Sequence, residues 1–187
     1  RLKGTAIELT NRNNTGATQV TPADFLRITY PSSDVLQAIE AVGPDRGRPL
    51  VLIGERGQGK SHVMGVIYHA LTASDATQEW LEEWGGRLGN AQIGDLPLRD
   101  GMHIITESLH RQSYKYLWDL LLDRHPDGEW ARGKWEGRGD KKTDVFPHDI
   151  LVELFQKRPT ALILDEYQTW YDGLKNSKQH PARTWAF

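Results

Sequence analysis

The most constraining feature of the sequence is the octet GERGQGKS, residues 54–61, which directly follows the apolar run PLVLI. The octet matches the pattern Gly-x-x-x-x-Gly-Lys-Ser/Thr of a phosphate-binding loop. In such a loop, successive main-chain N–H groups point at a phosphate, and glycine permits the positive φ angles and the close approach that this requires. A helix that follows the loop adds unpaired N–H groups and the positive end of its dipole.

The pattern assigns roles to individual side chains. We expect Lys60 to neutralise the β- and γ-phosphates and Ser61 to coordinate Mg²⁺. The predicted nucleotide contacts are Gly54, Gly57, Gln58, Gly59, Lys60, Ser61 and His62. A glycine-rich turn with a solvated lysine is the alternative interpretation. The apolar run before the octet and the amphipathic pattern after it favour the phosphate loop, because the motif requires a strand and a helix in these places.

A second pattern, ALILDE at residues 161–166, is an apolar run that ends in two carboxylates. In phosphate-loop enzymes an aspartate at this strand end holds Mg²⁺, so we assign that role to Asp165. Glu166 is then placed to orient or deprotonate the attacking water. The alternative is a strand that simply ends in solvent. Two adjacent acids downstream of a phosphate loop favour the catalytic interpretation.

Hydrophobic periodicity predicts an alternation of strands and helices. Continuous apolar runs predict buried strands at residues 49–53, 102–106 and 160–164. Helices are predicted from Pro22, from Ser33 or Asp34 to Gly43, and at residues 61–72, 75–84, 109–123 and 147–157. Asp75 and Gln78 have the spacing of a capping box. The alternation indicates an α/β fold with a mostly parallel sheet.

The organisation along the chain is simple. Residues 1–20 are polar and predict a flexible segment, and residues 21–187 predict one domain. A glycine-rich loop is predicted after residue 84. Residues 124–146 predict a charged loop, in which Trp130 and Trp135 pack on the domain. Contact of this loop with nucleic acid is the alternative, but its opposite charges nearly cancel.

Composition excludes several classes of protein. The 187 residues carry a net charge of −2 and no cysteine, so neither a disulfide framework nor a thiolate metal site is available. No apolar run approaches the ~18 residues that span a bilayer. The seven histidines have no metal-ligand spacing. We therefore expect a cytoplasmic protein without a membrane segment.

Longer stretches resemble a known family. GERGQGKS and ALILDE resemble the Walker A and Walker B motifs of the additional-strand P-loop NTPases, which include the AAA+ ATPases. FLRITYPSSDVLQAIEAVG before the loop, SHVMGVIYHAL after it, and the segment from KYLWDLLLDRHPDGEW to TALILDEYQTWYDGL resemble the PglY-like ATPases of phage-growth-limitation systems. These belong to anti-phage defence of the BREX kind. The similarity extends over most of residues 21–187.

The resemblance implies a three-layer P-loop sandwich that hydrolyses ATP with Mg²⁺ and drives movement in a larger defence protein. It implies other subunits as partners, and DNA through parts outside this chain. In the additional-strand group, a sensor strand lies between the Walker strands and follows Walker B in sequence. We therefore expect that strand and an arginine finger beyond residue 187. We also expect the isolated chain to bind nucleotide weakly, hydrolyse it negligibly and aggregate.

Two other functions stay open at this stage. One is a scaffold that binds ATP as an assembly signal and barely hydrolyses it. The other is a P-loop kinase or transferase, in which the two Walker strands are direct neighbours. Glu166 favours hydrolysis over both. The guanine-reading pattern Asn-Lys-x-Asp is absent from the sequence, which favours ATP over GTP.

Overall fold

A computed structural model describes residues 8–10, 15–46, 49–55, 57–111, 114–139 and 144–175. The chain divides into two compact units, Arg1–Ile104 and Ile105–Phe187, whereas the sequence predicts one domain from residue 21. The fold is α/β with a parallel sheet, as predicted, but it is mostly helical and the sheet found in the described residues is small. The three-layer sandwich stays a prediction. Over these described ranges, no helix has both the length and the apolar character that crossing a bilayer requires.

The first unit is built from helices. They are α1 (Pro22–Arg27), α2 (Ser33–Ala41), α3 (Lys60–Thr72), α4 (Ser74–Leu88) and α5 (Ala91–Gly94). Their apolar faces meet in one buried cluster, formed by Ala17, Phe25, Leu26, Val35, Ile39, Val66, Ala70, Trp80, Leu81 and Ile93. This cluster holds α3 in place, and α3 begins at the lysine of the candidate phosphate loop.

Side-chain caps mark the starts of α1 and α2 in the first unit. The Thr21 side chain accepts the N–H of Asp24, and Pro22 occupies the first helical position of α1. Ser32 caps α2 in the same way. The predicted starts of these helices are therefore confirmed. The predicted capping box at Asp75 and Gln78 is wrong, because α4 begins one residue earlier and no side chain caps it.

The glycine-rich loop predicted after residue 84 is also wrong, because α4 continues to Leu88. A Cβ atom on Gly85 would lie 3.1 Å from the Asn90 carbonyl oxygen and 3.3 Å from the Gly94 nitrogen. Gly85 therefore permits the close approach of α5 to α4, and it does so within a helix.

The described residues of the N-terminal segment, 8–10 and 15–20, pack against the rest of the first unit. Leu9 and Ala17 are each 1% exposed. Ala17 donates its N–H to the Glu8 carbonyl at 2.8 Å, and His69 Nε2 on α3 lies 2.8 Å from the Ala17 carbonyl oxygen. The part of the expected flexible segment at residues 8–10 and 15–20 is thus anchored on α3.

The second unit combines helices with the sheet. Its elements are β1 (His103–Ser108, which begins at the end of the first unit), a 3₁₀ turn (Leu109–Arg111), α6 (Leu117–Arg124), α7 (Gly128–Glu136), α8 (His148–Lys157), β2 (Thr160–Asp165) and α9 (Tyr167–Lys175). Its core consists of Ile105, Leu109, Trp118, Leu120, Leu121, Leu122, Ala131, Phe146, Ile150, Leu154 and Trp170.

The strands predicted at residues 102–106 and 160–164 are confirmed as β1 and β2, which pair in parallel. Their carboxyl ends therefore lie at one edge of the sheet. The strand predicted at residues 49–53 is wrong, since this segment has no regular structure and Val51 and Ile53 are 72% and 92% exposed. A strand needs a hydrogen-bonded neighbour, and the sheet found in the described parts of the chain contains only β1 and β2.

Of two further helices predicted in the second unit, one is confirmed and the other is shorter than predicted. The helix predicted at residues 147–157 is confirmed as α8, which begins one residue later than predicted, with Pro147 as its N-cap residue. The helix predicted at residues 109–123 is reduced to the 3₁₀ turn and α6.

The charged loop predicted at residues 124–146 is wrong in part, because it contains α7. Lys134 and Arg138 of this region form ion pairs with Glu153 and Asp149 of α8. Trp130 and Trp135 pack against the core of the second unit, so the predicted packing of both tryptophans is confirmed.

Candidate functional site

The candidate phosphate loop contains two glycines in left-handed conformation. Gly57 has a φ of 87° and Gly59 a φ of 82°, and a Cβ atom on either would meet nothing within 4 Å. The backbone conformation, and not a lack of space, is therefore what requires glycine at these positions. Gly59 is also the residue that precedes the first turn of α3.

Lys60 folds back across this loop. Its Nζ atom donates hydrogen bonds to the carbonyl oxygens of Gly54 and Glu55, each at 2.8 Å. The two carbonyls come from the start of the octet and the lysine from its end, so the side chain bridges the loop. The Lys60 ammonium is thereby held beside the amino end of α3.

The amino end of α3 has no side-chain cap, because Gly59 carries no side chain. Helical hydrogen bonding begins with the N–H of Val63, which donates to the Gly59 carbonyl at 3.0 Å. The first turn of an α-helix presents N–H groups without intrahelical acceptors, and its dipole favours an anion there. Ser61 and His62 lie in this first turn, next to Lys60.

The Gln58 side chain makes a further hydrogen bond across the loop. Its Oε1 atom accepts the N–H of Glu55 at 2.9 Å. A Cβ atom on Gly54 would lie 2.5 Å from this same oxygen, so a larger residue at the first position of the octet would displace the Gln58 side chain. The Gln58 side chain thus contributes to the shape of the loop. Its predicted contact with nucleotide stays a prediction.

His62 connects α3 to α1. Its ring stacks on Phe25 with centroids 4.8 Å apart, and its Nε2 atom lies 3.0 Å from the Thr29 hydroxyl. That hydroxyl donates to the Phe25 carbonyl, so it accepts from His62 Nε2–H. Burial lowers the pKa of His62, which favours this neutral ring. The side chain therefore faces α1, and only the main chain of His62 is placed for an anion.

Thr29 was not predicted as part of the site. Ile28 and Tyr30, on either side of Thr29, are 65% and 59% exposed. Tyr30 packs edge-on against Trp84, with ring centroids 5.2 Å apart. The hydrogen bond between Thr29 and His62 attaches this segment, with its exposed apolar side chains, to α3.

The two predicted acids lie at the carboxyl end of β2. Asp165 is its last residue, and its Oδ1 atom accepts the N–H of Glu166 at 2.8 Å. Glu166 has a φ of 56°, and elsewhere in the described residues only glycines have positive φ. A left-handed non-glycine residue is strained, and such residues concentrate at functional sites.

The Glu166 side chain has a partner that sequence reasoning missed. Thr169, in the first turn of α9, donates its hydroxyl to Glu166 Oε2 at 3.0 Å. The Trp170 N–H donates to the Glu166 carbonyl at 3.2 Å. The available signal was the spacing Glu-x-x-Thr at a helix start, because residues three apart are neighbours there.

The end of β1 adds polar groups to the same edge of the sheet. Glu107 is 8% exposed and pairs with Arg124 at 2.9 Å. Ser108 Oγ lies 3.0 Å from His110 Nδ1. None of these residues was singled out from the sequence. The available signal was an apolar run followed by Glu-Ser, as the apolar run of β2 is followed by Asp-Glu.

The structure thus groups the predicted residues within each unit. The glycines, Gln58, Lys60, Ser61 and His62 form one loop and helix start in the first unit. Asp165 and Glu166 form one strand end in the second. Within the part of the chain that the structure describes, no group of three or more His, Asp or Glu side chains is arranged to hold a metal ion. The assignment of Ser61 and Asp165 to Mg²⁺ stays a prediction.

No protein family, curated protein or solved structure matches this chain in the three comparisons made.

Proposed function

We propose that this protein binds ATP with Mg²⁺ and hydrolyses it. The observation that carries the proposal is the bridge that Lys60 makes across the loop to the carbonyls of Gly54 and Glu55. The bridge keeps a cation beside the uncapped start of α3, where main-chain N–H groups attract an anion. A triphosphate satisfies both features at once, because its oxygens accept from N–H groups and from an ammonium.

The division of labour follows from this placement. When nucleotide binds, Lys60 exchanges neutral carbonyl acceptors for charged phosphate oxygens, and such charge-assisted hydrogen bonds are about twice as strong as neutral ones. The N–H groups of the loop and of the first turn of α3 hold the β-phosphate. In this proposal Ser61 and Asp165 hold Mg²⁺, and Glu166 orients the attacking water.

The base is adenine in this proposal, and the exposed ring of Tyr30 is the candidate for its contact. Tyr30 adjoins Thr29, which is hydrogen-bonded to His62 in the first turn of α3. A large aromatic ring that is 59% exposed offers a stacking surface to a purine.

The resemblance to the PglY-like and AAA+ ATPases suggests what hydrolysis is for. We propose that it drives a conformational change in a larger anti-phage defence protein that works with other subunits. Support for this wider role comes from the sequence stretches quoted above and is independent of the loop geometry.

The test is a Glu166→Gln substitution in the intact protein. The variant keeps the size of the side chain and one acceptor oxygen, and it removes the charge that activates water. We expect ATP binding within about twofold of wild type and turnover slower by ~100-fold or more, on the scale of lost general-base catalysis. Steady-state phosphate release and calorimetric titration measure the two quantities.

Asp165→Asn serves as the companion variant, since it is expected to raise the Mg²⁺ concentration needed for half-maximal turnover. Tight ATP binding with equal, very slow turnover in wild type and Glu166→Gln would leave only the nucleotide-gated scaffold. Rapid turnover that Glu166→Gln does not alter would contradict the assignment of Glu166.

A further inference from the structure

We infer that Thr169 is a positioning residue that fixes the Glu166 carboxylate for its work on water. The inference rests on the proposed hydrolysis of ATP and adds one residue to it. Thr169 is the first-turn residue of α9 whose hydroxyl donates to Glu166 Oε2 at 3.0 Å.

Glu166 is held from three directions within a short stretch of chain. Its N–H donates to Asp165 Oδ1 at 2.8 Å, its carbonyl accepts from the Trp170 N–H at 3.2 Å, and its carboxylate accepts from Thr169. The backbone has a φ of 56°, which a side chain of this size adopts only when its surroundings enforce it. The contacts on both sides of Glu166 supply that enforcement.

The contact with Thr169 leaves the Glu166 carboxylate able to accept a hydrogen bond from water. A carboxylate offers about four acceptor sites on two oxygens, and Thr169 occupies one of them on Oε2. Among the described residues, the hydrogen bond to the Glu166 carboxylate is made at Oε2, and Oε1 is the oxygen that we propose for the water molecule. The hydroxyl thus restricts the rotation of an exposed, flexible side chain without consuming its ability to bind water.

The anchor of α9 makes this restriction effective. Trp170, next to Thr169, is 6% exposed and donates its Nε1–H to the Tyr114 carbonyl at 2.8 Å. The first turn of α9 is therefore attached to the core of the second unit. This attachment fixes the position from which the Thr169 hydroxyl donates its hydrogen bond. An orientation fixed in this way raises the rate of the chemical step and leaves substrate affinity unchanged.

The experiment compares Thr169→Val with Thr169→Ser in the intact protein. Valine keeps the shape and removes the hydroxyl, whereas serine keeps the hydroxyl. For Thr169→Val we expect kcat to fall by about 10-fold with KM within about twofold, on the scale of lost orientation. Thr169→Ser is expected to restore kcat to within about twofold of wild type.

Gln168→Ala is the matched control. It removes a hydrogen bond to Asp172 on the surface of the same helix and does not touch Glu166. Its kcat is expected to equal that of wild type, which separates a local loss of helix stability from the loss of the Glu166 contact. Unfolding transitions in urea like that of wild type in all variants show that they fold.

The outcomes separate this inference from the proposed function. A slow Glu166→Gln variant together with a Thr169→Val variant of wild-type kcat, or of higher kcat, would overturn the role of Thr169 alone. Equal losses in Thr169→Val and Thr169→Ser would do the same, since the hydroxyl would then be irrelevant. Turnover that is unaffected in Glu166→Gln would remove the proposed function and this inference with it.

Discussion

The loop at residues 54–61 and the acids at the end of β2 are supported by different kinds of structure. Residues 49–53, before the loop, lie open to solvent, whereas Asp165 ends a strand paired with β1. The loop takes its shape from its own Lys60 and from α3, and the acids take theirs from the sheet and α9. The shape of the candidate phosphate loop thus depends on the helix after the loop more than on the chain before it.

The largest effect is expected from removing equal side chains in the two apolar runs. Ile163 of β2 is 6% exposed and Ile53 is 92% exposed. Ile163→Ala is expected to lower the free energy of unfolding of the second unit by about 2–4 kcal/mol, because it leaves a cavity. Ile53→Ala is expected to change stability by less than ~0.5 kcal/mol, as surface substitutions do.

Urea denaturation of both isoleucine variants measures this difference. A decrease above ~1 kcal/mol in the free energy of unfolding for Ile53→Ala would show that residues 49–53 are buried in solution. The contrast between this exposed segment and the paired strand β2 would then disappear.

The second effect concerns the backbone of the loop. Gly59→Ala is expected to destabilise the first unit by about 1–2 kcal/mol, because alanine is strained at a φ of 82°. Gly86→Ala is the control: this residue lies within α4 with open space around it, so alanine is expected to stabilise by ~0.5–1 kcal/mol. Thermal unfolding with opposite signs for the two glycines checks the left-handed turn, and equal signs would contradict it.

The third effect is a pH dependence that His69 gives to the first unit. Burial lowers the pKa of His69 below its ordinary value of 6.5, although the Ala17 carbonyl opposes the shift. The fold therefore favours the neutral ring, and its contribution is complete above pH 6.5 and decreases as the pH falls through that value. One such proton changes the unfolding free energy by at most ~1.4 kcal/mol per pH unit.

Urea denaturation at several pH values between 7 and 5 gives this slope, and His69→Gln is expected to reduce it. A smaller slope remains, since burial also lowers the pKa of His62. The exposed His148 of α8 supplies the control, and His148→Gln is expected to leave the slope of the first unit unchanged. An identical slope in wild type and His69→Gln would contradict the buried neutral ring.

Local signals predicted the parts of the fold that local chemistry determines. Thr21 and Pro22 indicate the start of α1, and the glycines of the octet indicate the left-handed turn before α3. The two acids after an apolar run correctly indicated a strand end at Asp165. In each case the residues that carry the signal also make the contact that forms the structure.

Features that depend on distant residues were missed for physical reasons. The helix α7 was predicted as loop, because its stability comes from ion pairs to α8 and from Trp130 on the core, and not from its own pattern. Gly85 was taken as a loop signal, but it allows α5 to approach. Residues 49–53 have strand-like composition, and composition does not supply a hydrogen-bonding neighbour.

The most direct test of the account is ATP binding by a Lys60→Ala variant of the intact protein, measured by calorimetry beside the exposed-cation control Arg27→Ala. We expect Lys60→Ala to weaken binding by about 2–4 kcal/mol, or ~30- to 1000-fold, because a charge-assisted contact to phosphate is lost. Arg27→Ala is expected to bind like wild type. Equal ATP affinity in wild type and Lys60→Ala would contradict the assignment of residues 54–61 as a phosphate-binding loop.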